Sequence, residues 1–169
     1  PQAHKLYVHG LVERPLAFDL EALSRYPMVS RIQFLECSGN SAALIAPKPA
    51  QADCATIHGL VSTSEWGGVP LSVLLDEAGV SPEGKWLVAG GADSALLSRS
   101  VPIEKIMDDA IVALYQNGER LRPANGYPMR LFLPGWEGNV SVKWLRSLKV
   151  TDAPAMTRDE TSKYSDLAS

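Results

Sequence analysis

A largely apolar run from Ile111 to Gln116 meets Asn117-Gly118 and then turns polar. Both turn residues tolerate positive φ, as a two-residue hairpin of the favoured twist requires, so the run is predicted to be a strand that reverses at once. This commitment to antiparallel pairing constrains the rest. Further strand candidates are 5–12, read as an edge strand closed by a turn at Arg14-Pro15, then Val29 to Glu36, Lys85 to Ala89, Met129 to Leu133 and Leu148 to Val150. Helical patterns are short. Asp19 can cap a helix through Leu20 and Leu23 that stops before Pro27. Pro70 to Ala78 puts Leu71, Leu74, Leu75 and Ala78 on one face with Gly79 as the stop, and Pro102 to Met107 suggests one more. Strands outnumber helices and do not alternate with them. An α+β domain with a mixed sheet is expected, not a doubly wound one.

The chain has 169 residues, of which 46% are apolar, enough for one domain with a proper core. A net charge of −3 gives no bulk electrostatic reason to expect nucleic acid or an anionic membrane as partner. No apolar run approaches the roughly 20 residues of a bilayer span. Cys37 and Cys54 are too few for a disulfide scaffold, and His4, His9 and His58 lack the close helical pairing of zinc enzymes.

Chemistry centres on Cys37. It follows the predicted strand 29–36, where Ile32 and Phe34 alternate with Arg31 and Gln33, and it precedes the turn residues Ser38-Gly39-Asn40. A thiol at a strand mouth beside backbone N–H donors can serve as a thiolate ligand; it can also be an inert buried cysteine. The stretch from Ser38 to Ile57 is long for a connection inside a compact domain, a length often tied to function, and it contains Cys54. Gly90-Gly91-Ala92-Asp93 and Pro134-Gly135-Trp136-Glu137-Gly138-Asn139 place pliant backbone beside strand ends, suited to an anion or a flat heterocycle, or simply turns. Neither matches an ATP or NAD(P) fingerprint. Arg130 and Lys143 stand among apolar neighbours, where a cation needs either a concentrated anion as ligand or a structural carboxylate partner.

Taken in order, these segments resemble the molybdopterin domain of the sulfite oxidase family. The residues that carry the likeness are Cys37-Ser-Gly-Asn, Ser62 through Leu71, Gly91-Ala92-Asp93, Asn117-Gly118, Gly126-Tyr127-Pro128-Met129-Arg130 and Val142-Lys143-Trp144-Leu145. The likeness extends over nearly the whole chain. It implies a sulfite-oxidase-type molybdopterin-binding domain over 1–169, excised from a longer protein. A further cofactor-contacting segment would precede it, and the 151–169 tail would lead to an immunoglobulin-like dimerisation domain. The implied cofactor is molybdenum on molybdopterin. By position Cys37 is the implied metal ligand, and Asp93, Asn125, Arg130, Ser141 and Lys143 are the implied contacts to the pterin and its phosphate. Tyr164 is the implied tyrosine beside the oxo ligand. Asn125 stands where sulfite oxidases usually have histidine, so that contact differs.

Ser41 and Ala42 replace the two arginines that follow the ligand segment in sulfite oxidases, one of which helps to hold sulfite. The Cys-x-x-Asn segment, Asn125-Gly-Tyr-Pro and the Asp159 to Tyr164 tail look most like sulfane dehydrogenase molybdenum subunits of the SoxC type. That likeness implies a periplasmic oxidoreductase acting on sulfane sulfur held by a carrier protein. Electrons would pass to a c-type cytochrome, and the intact protein would be a homodimer or hetero-oligomer. A sulfite dehydrogenase or oxidase of the same family is the alternative expectation, and a non-catalytic domain that keeps the fold without molybdenum is a further one.

Overall fold

Ten strands and five short α-helices make up the chain in the computed structural model, which describes residues 3–45, 47–48, 51–162 and 164. Parts of the 38–57 connection and the end of the tail therefore lie outside the described residues. In chain order the elements are β1 (Leu6–Gly10), β2 (Leu16–Phe18), α1 (Leu20–Leu23), β3 (Val29–Glu36), α2 (Cys54–His58), β4 (Val61–Pro70), α3 (Leu71–Ala78), β5 (Trp86–Gly91) and β6 (Ser98–Pro102). Then come α4 (Ile103–Asp109), β7 (Ile111–Gln116), β8 (Glu119–Arg120), β9 (Arg130–Phe132), β10 (Leu145–Thr151) and α5 (Arg158–Ser162).

Two sheets result. The first runs β2-β1-β10-β5-β6; β1 and β10 are parallel and every other pair is antiparallel, so the expected mixed sheet is present. The second runs β3-β4-β7-β8, with β9 also against β7, all antiparallel. The β7–β8 reversal is the predicted hairpin, with φ of 52° at Asn117 and 77° at Gly118. Asp19 caps α1 through the Ala22 N–H at 2.8 Å. Gly79 ends α3 in the left-handed region at φ 71°.

The structure corrects three expectations. The 5–12 segment is not an edge: β1 lies between β2 and β10, which is why Leu6 and Val8 are fully buried, and β2 takes the edge. The 38–57 connection carries secondary structure of its own, a 3-10 turn at Ala42–Ile45 and the helix α2, capped by the Asp53 carboxylate on the Thr56 N–H; Cys54 opens that helix. Strands β4 and β6 were not foreseen. β4 is rich in Ser, Thr and Gly, and Gly68 is needed there because a Cβ would lie 2.1 Å from the Val112 carbonyl of β7.

β7 joins two apolar clusters. Val112 and Leu114 face the main core with Leu74, Leu75, Leu87 and Leu148, while Ile111 and Ala113 face a smaller one with Trp66, Leu121 and Phe132. Trp66 and Phe132 stack with ring centroids 4.6 Å apart. Alternation along β9 puts Arg130 on the Phe132 side, with its guanidinium 5.2 Å from the Trp66 ring centroid.

Candidate cofactor and active site

Three successive carbonyls organise one half of the site. The 3-10 turn Pro123–Asn125 offers its Pro123 oxygen to Trp144 Nε1 at 3.1 Å, its Ala124 oxygen to Lys143 Nζ at 2.7 Å and its Asn125 oxygen to Arg130 Nη1 at 3.2 Å. Gly126 ends the turn at φ 106°, and a Cβ there would stand 3.1 Å from Lys143 Cβ and 3.2 Å from Arg130 Cβ. Only glycine both takes that φ comfortably and lets the turn lie on the two cations. Asn125 is held by donating to Gln116 Oε1 at 2.5 Å, and Gln116 donates in turn to Ser64 Oγ at 2.9 Å.

Arg130 is 2% exposed and donates from Nη2 to the Ser141 carbonyl at 2.8 Å. Its Nε is buried with no hydrogen-bond partner among the described residues. Burial lowers its pKa to about 10, and Lys143 is also lowered, first by desolvation and then by the Arg130 charge. Neither cation has a carboxylate partner among the described residues, so the structural ion pair weighed from the sequence is not what holds them. Two like charges stand side by side. Such a pair is tolerated where a concentrated anion offsets it.

The other expected contacts fall around this pair. Ala92 donates to the Trp144 carbonyl at 2.9 Å, which sets the 91–93 loop against the Lys143-Trp144 backbone, and Asp93 Oδ1 accepts the Leu97 N–H at 3.2 Å. Ser141 is 1% exposed, and its Oγ accepts the Leu133 N–H at 3.1 Å; the hydroxyl thus ties β9 to the returning chain and keeps one proton to donate.

Cys37 is exposed and free at the mouth of β3, so the inert-core alternative does not apply. Its amide donates to the Leu60 carbonyl at 2.9 Å, its carbonyl accepts the Asn40 N–H at 2.9 Å, and the Gly39 N–H points at its Sγ from 3.4 Å. It lines a cleft of about 300 Å³ with Phe34, Glu36, Asn40, Trp136 and Glu137. The alternation of β3 points outward for its apolar members: Ile32 is 76% and Phe34 48% exposed, whereas Arg31 and Gln33 are half-buried. The 134–140 loop links the two halves. It leaves β9 after Arg130, passes the cysteine cleft, where a Cβ on Gly138 would lie 3.0 Å from the Glu36 carbonyl, and returns at Ser141.

Ser41 and Ala42 open the 3-10 turn beyond Asn40, and Ser41 Oγ is 2.7 Å from His58 Nδ1. Tyr164 follows α5 in the tail, its ring 4.7 Å from the Arg99 guanidinium, and it is not among the residues that line the cysteine cleft. Arg99, Gln116 and Trp66 went unremarked in the sequence as site residues. Gln116 carried a signal, being the polar end of an otherwise apolar strand; Arg99 carried none, because β6 shows no apolar alternation.

The set fits a metal carried on an organic phosphate better than one held by side chains alone. Among the described residues no three His, Cys, Asp or Glu converge on a common point. One exposed thiol and a doubly cationic cradle, with a glycine that lets the 123–126 turn pack against both cations, meet the needs of a molybdenum–pterin group.

Comparisons with known proteins agree. The oxidoreductase molybdopterin binding domain family matches residues 1–158. The crystal structure of the sulfane dehydrogenase SoxCD from Paracoccus pantotrophus superposes with a TM-score of 0.93 at 49% identity, over 98% of this chain and 42% of that one. NADH nitrate reductase from Ulva prolifera is 32% identical over 165 residues, covering 89% of this chain and 19% of that protein. Its counterpart from Solanum lycopersicum is 36% identical over 176 residues, covering 93% and 18%. The chain thus spans under a fifth of the length of those curated relatives. It belongs to the oxidoreductase molybdopterin-binding domain family, of the sulfite oxidase type, and its cofactor is molybdenum on molybdopterin.

Proposed function

We propose that this domain is the molybdenum centre of an enzyme that oxidises sulfane sulfur carried on a partner protein and passes the electrons to a c-type cytochrome. The observation that carries the reading is the Ser41-Ala42 pair beside an exposed Cys37, in a chain 49% identical to SoxCD. Molybdenum on its pterin supplies oxygen transfer to sulfur and takes up two electrons.

The chain's own residues do the rest. Cys37 Sγ is the protein's thiolate ligand, steadied by the Gly39 N–H. Arg130 and Lys143 neutralise the cofactor phosphate, while Asn125, Asp93 and Ser141 hold the pterin through neutral and acidic groups. Tyr164 offers a phenol O–H at the reacting end. Phe34 and Trp136 wall the cysteine cleft with apolar surface. No arginine fork stands at 41–42, so a small dianion such as sulfite forgoes charge-assisted hydrogen bonds of about 1.5–3 kcal/mol each, roughly ten- to hundredfold in affinity per bond. A protein-borne sulfur draws its binding energy from contacts away from the metal instead. The SoxCD likeness also supports a hetero-oligomer with a cytochrome-bearing subunit and a periplasmic setting.

The test is turnover of the intact protein with oxidised cytochrome c as acceptor and carrier-bound sulfane or free sulfite as reductant, and separately with a reduced viologen dye as electron donor and nitrate as oxidant. Carrier-bound sulfane should be turned over far faster than sulfite, and Ala42→Arg should improve sulfite. Equal efficiency on free sulfite assigns the protein as a sulfite dehydrogenase; turnover of nitrate alone moves it to the nitrate reductases.

A further inference from the structure

Arg99 is buried to 7% exposure in β6, yet its Nε and Nη1 have no hydrogen-bond partner among the described residues. Its Nε lies 3.5 Å from Glu160 Oε1, an ion-pair distance without hydrogen-bond geometry. Its guanidinium sits under the Tyr164 ring at 4.7 Å from the centroid. A buried guanidinium is costly, and two idle N–H groups make it more so. A residue kept at that cost has work that a neutral side chain would not do.

The surroundings identify the work. Glu160 accepts the Ser100 N–H at 2.5 Å and the Ser100 hydroxyl at 3.2 Å, and Thr157 Oγ1 donates to it at 3.1 Å. Ser100 Oγ accepts the Ala155 N–H at 3.0 Å, and Arg158 Nη2 reaches the Ala95 carbonyl at 3.5 Å. Within the tail, the Tyr164 N–H donates to the Asp159 carbonyl at 3.2 Å. Two adjacent residues of β6 thus grip α5 and the tyrosine that follows it. α5 has five residues, none of them buried, so it has no apolar anchor of its own. These polar contacts hold it.

We propose that Arg99 is a positioning residue for Tyr164: its guanidinium plane, with Glu160 and Ser100 as the clamp beneath, fixes the phenol ring at the reacting end of the molybdenum site. This rests on the functional reading above, in which Tyr164 touches the reacting atoms. The guanidinium is the part that matters, since a lysine ammonium keeps the charge but not the fork of donors that faces Glu160 beside the ring.

The experiment uses the intact, cofactor-loaded protein and compares Tyr164→Phe, Arg99→Met, Arg99→Lys and the Arg99→Met/Tyr164→Phe double variant. Four quantities are read: kcat, KM, molybdenum content, and hydrogen–deuterium exchange of residues 155–164. Arg99→Met should lower kcat about three- to tenfold, the worth of a cation–π contact with a buried cation and a partly exposed ring, with KM within about twofold and molybdenum content unchanged. The 155–164 segment should exchange faster, and Arg99→Lys should restore less than half of the loss. The double variant should be no slower than Tyr164→Phe alone, because Arg99 acts through that phenol. Multiplicative losses in the double variant overturn the proposal, as does a full rescue by lysine. An active Arg99→Met protein with unchanged exchange overturns the clamp while leaving Tyr164 in the site. Full activity of Tyr164→Phe instead removes Tyr164 from the site and fails the functional reading of that residue. If Arg99→Met does not fold, Glu160→Gln, which weakens the same clamp from the tail side, should accelerate exchange of 155–164 and lower kcat; no change in either overturns the proposal.

Discussion

The proposed cofactor cradle around Arg130 and the thiol end of the site are built on opposite plans. Arg130 is nearly inaccessible, stacked on Trp66 and fixed by two backbone carbonyls, and Lys143 and Asn125 are held by bonds of their own. Cys37, Phe34 and Trp136 are exposed, and the segment beyond Asn40 rests on short turns and one five-residue helix. The cradle is organised by the core, so it is preorganised for a constant ligand. The thiol end is organised by loops, which vary with little consequence for the fold. On the proposed roles, holding the cofactor and choosing the substrate are therefore separable.

The contrast breaks most sharply at Cys37. In the intact protein Cys37→Ser should cut turnover by at least about 100-fold, since even outer-shell changes at metal sites cost 10–100-fold, with a thermal midpoint near that of the wild type. A large loss of stability would mean that the thiol end is not independent of the core. Next comes Arg130→Met, which should lower the molybdopterin content of purified protein roughly ten- to hundredfold, the worth of a charged hydrogen bond. Full cofactor occupancy with only a raised KM would move Arg130 to the substrate side.

Lys143→Met should have a smaller effect, about tenfold at most in cofactor affinity, because the side chain is only half-buried. It also carries a pH signature. Its pKa is lowered in the folded protein, by desolvation and by Arg130. The folded state therefore sheds that proton before the unfolded chain does, and stability rises with pH between the lowered value and the ordinary lysine value. Phosphate affinity should move the other way, falling as pH rises through the lowered Lys143 pKa, as read by phosphate or cofactor titration. The Lys143→Met variant should lack that limb. Smallest is Asp53→Ala, which removes the cap of exposed α2 and should shift overall stability by no more than about 1 kcal/mol, leaving cofactor content untouched.

Legibility in the sequence followed where apolar pattern and turn chemistry agreed. The Asn117-Gly118 hairpin, the Asp19 cap and the α3 stop at Gly79 are local rules, and each stands in the structure. β4 and β6 obey no local rule. Their Ser, Thr, Gly and Arg residues become strands because neighbours already in the sheet offer them hydrogen bonds, and that is tertiary information. Arg130 and Lys143 were conspicuous as charges in apolar company, but their acceptors were hidden, since any residue's carbonyl can serve. Arg99 was hidden twice, lying on an unforeseen strand opposite a tyrosine far along the chain.

The row of carbonyls at 123–125 acts as a common hinge-pin for Trp144, Lys143 and Arg130. Both cations stand on backbone outside that turn, so a change in the turn withdraws an acceptor from each of them at once and leaves their own backbone in place. Residues 123–126 are thus a single point of failure for both charges, while the chain around Cys37, Ser41 and Ala42 included, can be rewritten without touching those acceptors.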